Sequence, residues 1–169
     1  MKKEMIQDFS MRVTQASRSE LIVIMYEIIL KDMEYAREAF AEDDFVTYEK
    51  ELTQAGRFIN ELMASLDYSI GLSYQLMSLY IFANKELTAA RVQRQPERLD
   101  GVTEVFEKLL AGYQKVSEED TSGPVMKNTQ QLYVGLTYGR GTLNEMYVNG
   151  NEARRGFMAY VFGEINKKV

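Results

Sequence analysis

The sequence predicts an all-α protein: an antiparallel up-down four-helix bundle with a glycine-rich C-terminal extension that reads as a small β-hairpin or meander. Three observations carry this reading. Four successive stretches between residues 17 and 117 repeat apolar side chains at spacings of three and four, the period of one helix face. The connections between them run to about five residues, short enough to force antiparallel neighbours. An apolar fraction of 46% over 169 residues is sufficient for the core of a single domain.

The first helix of this bundle opens with Ser17-Arg18-Ser19-Glu20, a capping box in which Ser17 and Glu20 each satisfy a free backbone N–H. Leu21, Met25, Ile28, Tyr35 and Ala39 then follow one face, with Asp32 as the break. The second starts after Asp43-Asp44, whose carboxylates suit a helix N-terminus, and carries Phe45, Tyr48, Leu52, Ala55, Ile59, Leu62, Met63 and Leu66. Leu72, Leu76, Leu79, Ala83, Leu87 and Ala90 form a near-heptad seam on the third. The fourth begins at Pro96, suited to a first helical turn, and buries Leu99, Val102, Phe106, Leu109, Leu110 and Tyr113.

Both ends of the chain differ from this body. Residues 1–16 have only a weak pattern in Met5, Ile6, Phe9 and Val13 and are expected to form a mobile N-terminal arm. A polar linker over 118–124 leads into an extension over 125–169, and 7 of the 11 glycines lie from Gly123 onward. The charge shifts at the same place: residues 1–117 hold 19 acidic and 14 basic side chains, and 118–169 hold 6 of each. Leu132, Val134, Leu136 and Tyr138 alternate with Gln131, Tyr133, Gly135 and Thr137, a strand pattern. Gly139-Arg140-Gly141 suits the turn, and Thr142 to Val148 the return strand. A fifth helix is the rival reading, disfavoured because each glycine inside it costs about 1 kcal/mol.

Composition narrows the chemistry. The chain has no cysteine and no histidine, which removes thiolate metal sites, the commonest general base and the commonest metal ligand. Twenty basic against 25 acidic side chains leave a net charge of −5, which argues against a nucleic-acid surface. Glu34, Glu38 and Glu49 read as helix-surface carboxylates, and Gly139-Arg140-Gly141-Thr142 lacks the lysine of a phosphate loop. No cofactor or metal is expected, and the protein is not expected to be an enzyme. The longest apolar stretch, Leu21 to Leu30, is interrupted by Glu27 and falls short of the roughly 20 residues of a membrane span. With both charges mixed at the start, the expected location is the cytoplasm and no membrane insertion is expected.

Two helices carry more apolar surface than a bundle needs. The first has a second stripe in Ile22, Ile29, Met33, Ala36 and Phe40, and the third has Tyr74, Met77 and Ile81 beside its seam. Such helices either sit centrally beneath another layer or leave a groove for a partner helix. Ten methionines suit a surface that repacks around a ligand, although most methionines at helical spacing are core.

Four motifs stand in order along the body: Ser19-Glu20-Leu21-Ile22-Val23-Ile24-Met25-Tyr26-Glu27 with Ala36 and Ala39-Phe40; Ala55 to Leu62 closing at Ser65-Leu66-Asp67; Leu76, Leu79-Tyr80, Leu87 and Ala90; and Leu99, Val102, Val105-Phe106 and Leu109-Leu110. With these motifs the body resembles the family of flagellar export chaperones named FliS. The resemblance covers roughly residues 13–116. Arg91 and Tyr113 stand where the family usually has asparagine and a closing tryptophan. The resemblance implies binding of the C-terminal segment of flagellin, which lays short helices into apolar grooves, with an export-gate component as a further partner. Leu21, Ile22, Ile29, Met33, Tyr74, Met77, Leu79, Tyr80 and Ile81 are the candidate partner-binding residues. A charge at Ile29 or Met77 is expected to abolish binding and spare the fold. The alternative function, of a different class, is a non-catalytic interaction module whose doubly apolar helices pair in a homodimer. The extension is expected to pack back on the body's spare apolar surface, either covering part of the groove until flagellin displaces it or extending the binding surface.

Overall fold

The computed structural model describes residues 3–125. They form five α-helices: α1 (Lys3–Gln15), α2 (Arg18–Ala41), α3 (Phe45–Ala64), α4 (Leu72–Gln93) and α5 (Leu99–Glu119). A 3-10 turn, Pro96–Arg98, precedes α5, and no strand occurs among the described residues. The expected hairpin and its turn fall outside the described residues.

Local chemistry accounts for where the helices begin. At the start of α2 the Ser17 hydroxyl accepts the Glu20 N–H at 3.3 Å, and the Ser17 N–H donates to the Glu20 carboxylate at 2.7 Å. A box of this kind contributes about 1 kcal/mol through its cap residue. Asp44 caps α3 by accepting the Thr47 N–H at 3.0 Å, while Asp43 takes a left-handed φ of 56° to turn the chain from α2. Pro96 starts the last helical segment as expected, but its first turn is 3-10 and the α-helix itself begins at Leu99. α4 stops at Arg94, which is left-handed and lays its guanidinium over the Phe45 ring at 4.3 Å.

α2 is the central element, with α3 and α5 along its sides and α1 on a further face. α4 completes the assembly by packing on both α3 and α5. The contacts show neighbours running in opposite senses. Tyr26 near the start of α2 meets Tyr113 near the end of α5, and Arg37 near its end pairs with Asp100 at the start of α5 at 2.8 Å. Between α3 and α4, Arg91 donates to Thr53 at 2.7 Å and Asn84 to Asn60 at 2.7 Å.

The central position explains the two apolar stripes of α2: Leu21, Ile24, Met25, Ile28, Ile29, Met33 and Ala36 are all buried, on more than one side of the helix. Part of the cover is the N-terminal stretch. It is helical, with Phe9 and Val13 buried in the common core and Arg12 paired with Glu27 at 2.5 Å.

The ends of α2 and α5 are clasped together. Asp120 accepts hydrogen bonds from the Ser19 hydroxyl and N–H and, at 2.9 Å, from the Ser122 N–H. These bonds, with that of Ser122 foremost, hold its carboxyl well below the usual carboxylate range.

Candidate partner-binding surface

The nine sequence-predicted residues separate into three environments. Leu21, Ile29, Met33 and Tyr80 are in the core, with almost no surface. Ile22, Met77 and Leu79 are half-buried. Tyr74 and Ile81 stand in solvent at 61% and 53% exposure. Tyr74, Met77 and Ile81 follow spacings of three and four, so they share the outer face of α4.

Tyr80 points the other way, into a buried aromatic cluster. Its hydroxyl lies 2.5 Å from that of Tyr26, and its ring stacks on Phe106 at 6.3 Å. Phe106 and Tyr113 meet the Tyr26 ring edge-on at 5.5 and 5.4 Å. Burial raises the ionisation of both Tyr26 and Tyr80 far above the ordinary phenol range, so both are neutral hydrogen-bonding groups. Tyr80→Phe should therefore act on stability, by about 1–3 kcal/mol, because the Tyr26 hydroxyl loses its buried partner. Urea unfolding reads this directly. A loss under about 0.5 kcal/mol would show that Tyr113 takes over the bond.

Several exposed apolar residues were not among the candidates: Tyr68, Ile70, Leu72, Phe82 and Val92. Leu72 corrects the seam on α4. It is the first residue of the helix and is 53% exposed. The signal for Phe82 was available in its position beside Ile81, since a helix cannot bury both of two adjacent side chains that lie off its core face. Two clefts lie on the surface of the described residues. One of about 420 Å³ lies among α1, α2 and α5 beside Arg12, Glu20 and Glu27. One of about 410 Å³ lies between α3 and α4 beside Thr53, Arg57, Asn60, Asn84 and Arg91. Among the described residues no group of three acidic side chains is close enough to hold a metal ion. No helix of the described residues is long and apolar enough to cross a membrane.

An all-helical body with a buried aromatic cluster and an apolar stripe exposed on one helix has the surface of a helical binding protein. The family comparison agrees. Residues 1–120 match the family model described as FliS, flagellar protein FliS, and the chain belongs to this family of flagellar export chaperones. No curated protein matches the chain.

Proposed function

We propose that this protein binds the C-terminal segment of flagellin in the cytoplasm, before export, with the outer face of α4 as its main contact. The four long helices, α2 to α5, act in this reading as one antiparallel up-down bundle that holds the face rigid. The single observation that supports it is the apolar stripe on the outer face of α4, with Tyr74 and Ile81 in solvent and Met77 half-buried, on a helix whose other side is packed. A segment helical in a filament but unfolded alone gains by laying an apolar face on such a stripe. Its gain is offset by roughly 2–5 kcal/mol or more for ordering the segment. While bound, its filament-forming surface is hidden.

Calorimetric titration of the full-length protein with the last segment of a flagellin from the same genome tests the reading. Binding of about one-to-one with a large negative heat-capacity change is expected. Absence of heat together with no complex on sizing would remove flagellin as the partner. A tight dimer that persists through a dilution series would instead put a second copy on the stripe.

A further inference from the structure

Four of the exposed apolar side chains cluster at one end of the described residues. Tyr68, Ile70, Leu72 and Tyr74 alternate along the α3–α4 connection and the first turn of α4, and each is 46–61% exposed. The Tyr68 and Tyr74 rings meet at 5.7 Å, so the patch is continuous. The connection is held in this shape by its own bonds. The Ser69 N–H donates to the Asp67 carboxylate at 2.9 Å, and the Ser73 hydroxyl donates to the Asp67 carbonyl at 2.6 Å. An ordered loop that holds four apolar groups outward is a surface built to be covered.

The same end is where the rest of the chain departs. The Asp67 carboxyl is held low by its bonds from Ser69 and, in smaller part, by the charge of Arg18 at the start of α2. Asp120, just past α5, bonds Ser19 in the first turn of α2. The Val125 N–H donates to the Ala16 carbonyl at 3.0 Å, immediately before α2. The patch, the start of α2 and the departure point of the following 44 residues are therefore close together.

Composition matches the two. Residues 126–169 carry six basic and three acidic side chains, net +3, whereas residues 1–125 carry 14 basic and 22 acidic, net −8. On the body, Asp67, Glu118 and Glu119 are exposed at this end, and Arg12, Arg18 and Lys115 are cations near it. The following residues also hold concentrated apolar runs, such as Leu132-Tyr133-Val134 and Tyr160-Val161-Phe162.

We propose that a segment within residues 126–169 seats on the Tyr68–Ile70–Leu72–Tyr74 patch of its own chain, its apolar side chains on the patch and its basic ones toward the acidic body. The inference is independent of which partner binds the rest of α4. Its consequence for any such partner is that Tyr74 is shared, so that partner and segment compete for this end of the stripe.

The test uses the full chain with a photoreactive benzoylphenylalanine in place of Tyr74, a position exposed enough to leave the fold alone. After irradiation, crosslinked peptides are identified by mass spectrometry and the species are separated by size. Crosslinks to residues 126–169 on a product of monomer size are expected. Adding Ile70→Ser and Leu72→Ser should lower their yield about tenfold with unchanged helical content, since each removes an apolar side chain from the contact. Crosslinks between two chains would replace the proposal with self-association. Crosslinks absent from residues 126–169, or a yield indifferent to the paired serines, would overturn it.

Discussion

Ile29→Asp should unfold the helical core instead of severing a partner. Ile29 lies in the middle of α2, the helix that every other long element except α4 packs against most closely, and has no exposed surface. The substitution removes a packed aliphatic side chain and puts a carboxylate in its place without a designed partner. The lost packing alone costs about 2–5 kcal/mol, and the buried charge adds several more. Against a usual total of about 5–15 kcal/mol, that leaves little or no folded protein. Circular dichroism melts check it: the helical signal should be lost or its transition strongly lowered. A variant that melts like the parent yet fails to bind flagellin would return Ile29 to the surface, where the sequence pattern alone had put it.

The second large effect is on binding. Tyr74→Asp with Ile81→Asp should leave helical content and melting nearly as they are, since exposed substitutions away from caps stay within about 0.5 kcal/mol. The same pair should weaken capture of the flagellin segment by about 100-fold or more. Each side chain buried in a contact is worth about 1.5–3 kcal/mol, and each 1.4 kcal/mol is tenfold in affinity. Calorimetry with the same segment used for the parent protein reads the change. Unchanged affinity would move the contact to another face of the molecule. Met77, half-buried on the same stripe, is the less informative site, because a charge there mixes a cost in folding with a cost in binding.

The two predictions separate residues that the sequence groups together. Ile29 and Tyr74 both belong to second apolar stripes, and nothing in their spacing tells them apart. One stripe is sealed because α2 is central, covered by α3, α5 and α1. The other is open because, among the described residues, α4 packs chiefly on α3 and α5 and its far side meets water. Tyr80 shows the same limit within a single helix: it sits one residue from Ile81, but a turn of 100° carries it into the Tyr26 cluster.

The sequence pattern of residues 1–16 is weak because the apolar residues there are few. Phe9 and Val13, four apart, are enough for a helix once a neighbouring surface is present to receive them, a condition that lies outside the segment itself. The sites that were legible are those whose chemistry is local. Ser17 with Glu20, and Asp44 with Thr47, close their bonds within three residues, so sequence and structure agree on them.

By itself, then, the sequence determined the helical class of the described residues, the start of each of the four long helices within a few residues, the lack of histidine and cysteine chemistry, and the family. Each of these depends on spacing, caps or composition, which are properties of neighbours along the chain. Only the tertiary structure decided which apolar stripe is core and which is surface, that Leu72 lies beyond the seam, and that Asp67, Ser19 and Val125 gather at one end. Burial is a property of what lies opposite a residue, and among packed helices that partner comes from a helix tens of residues away.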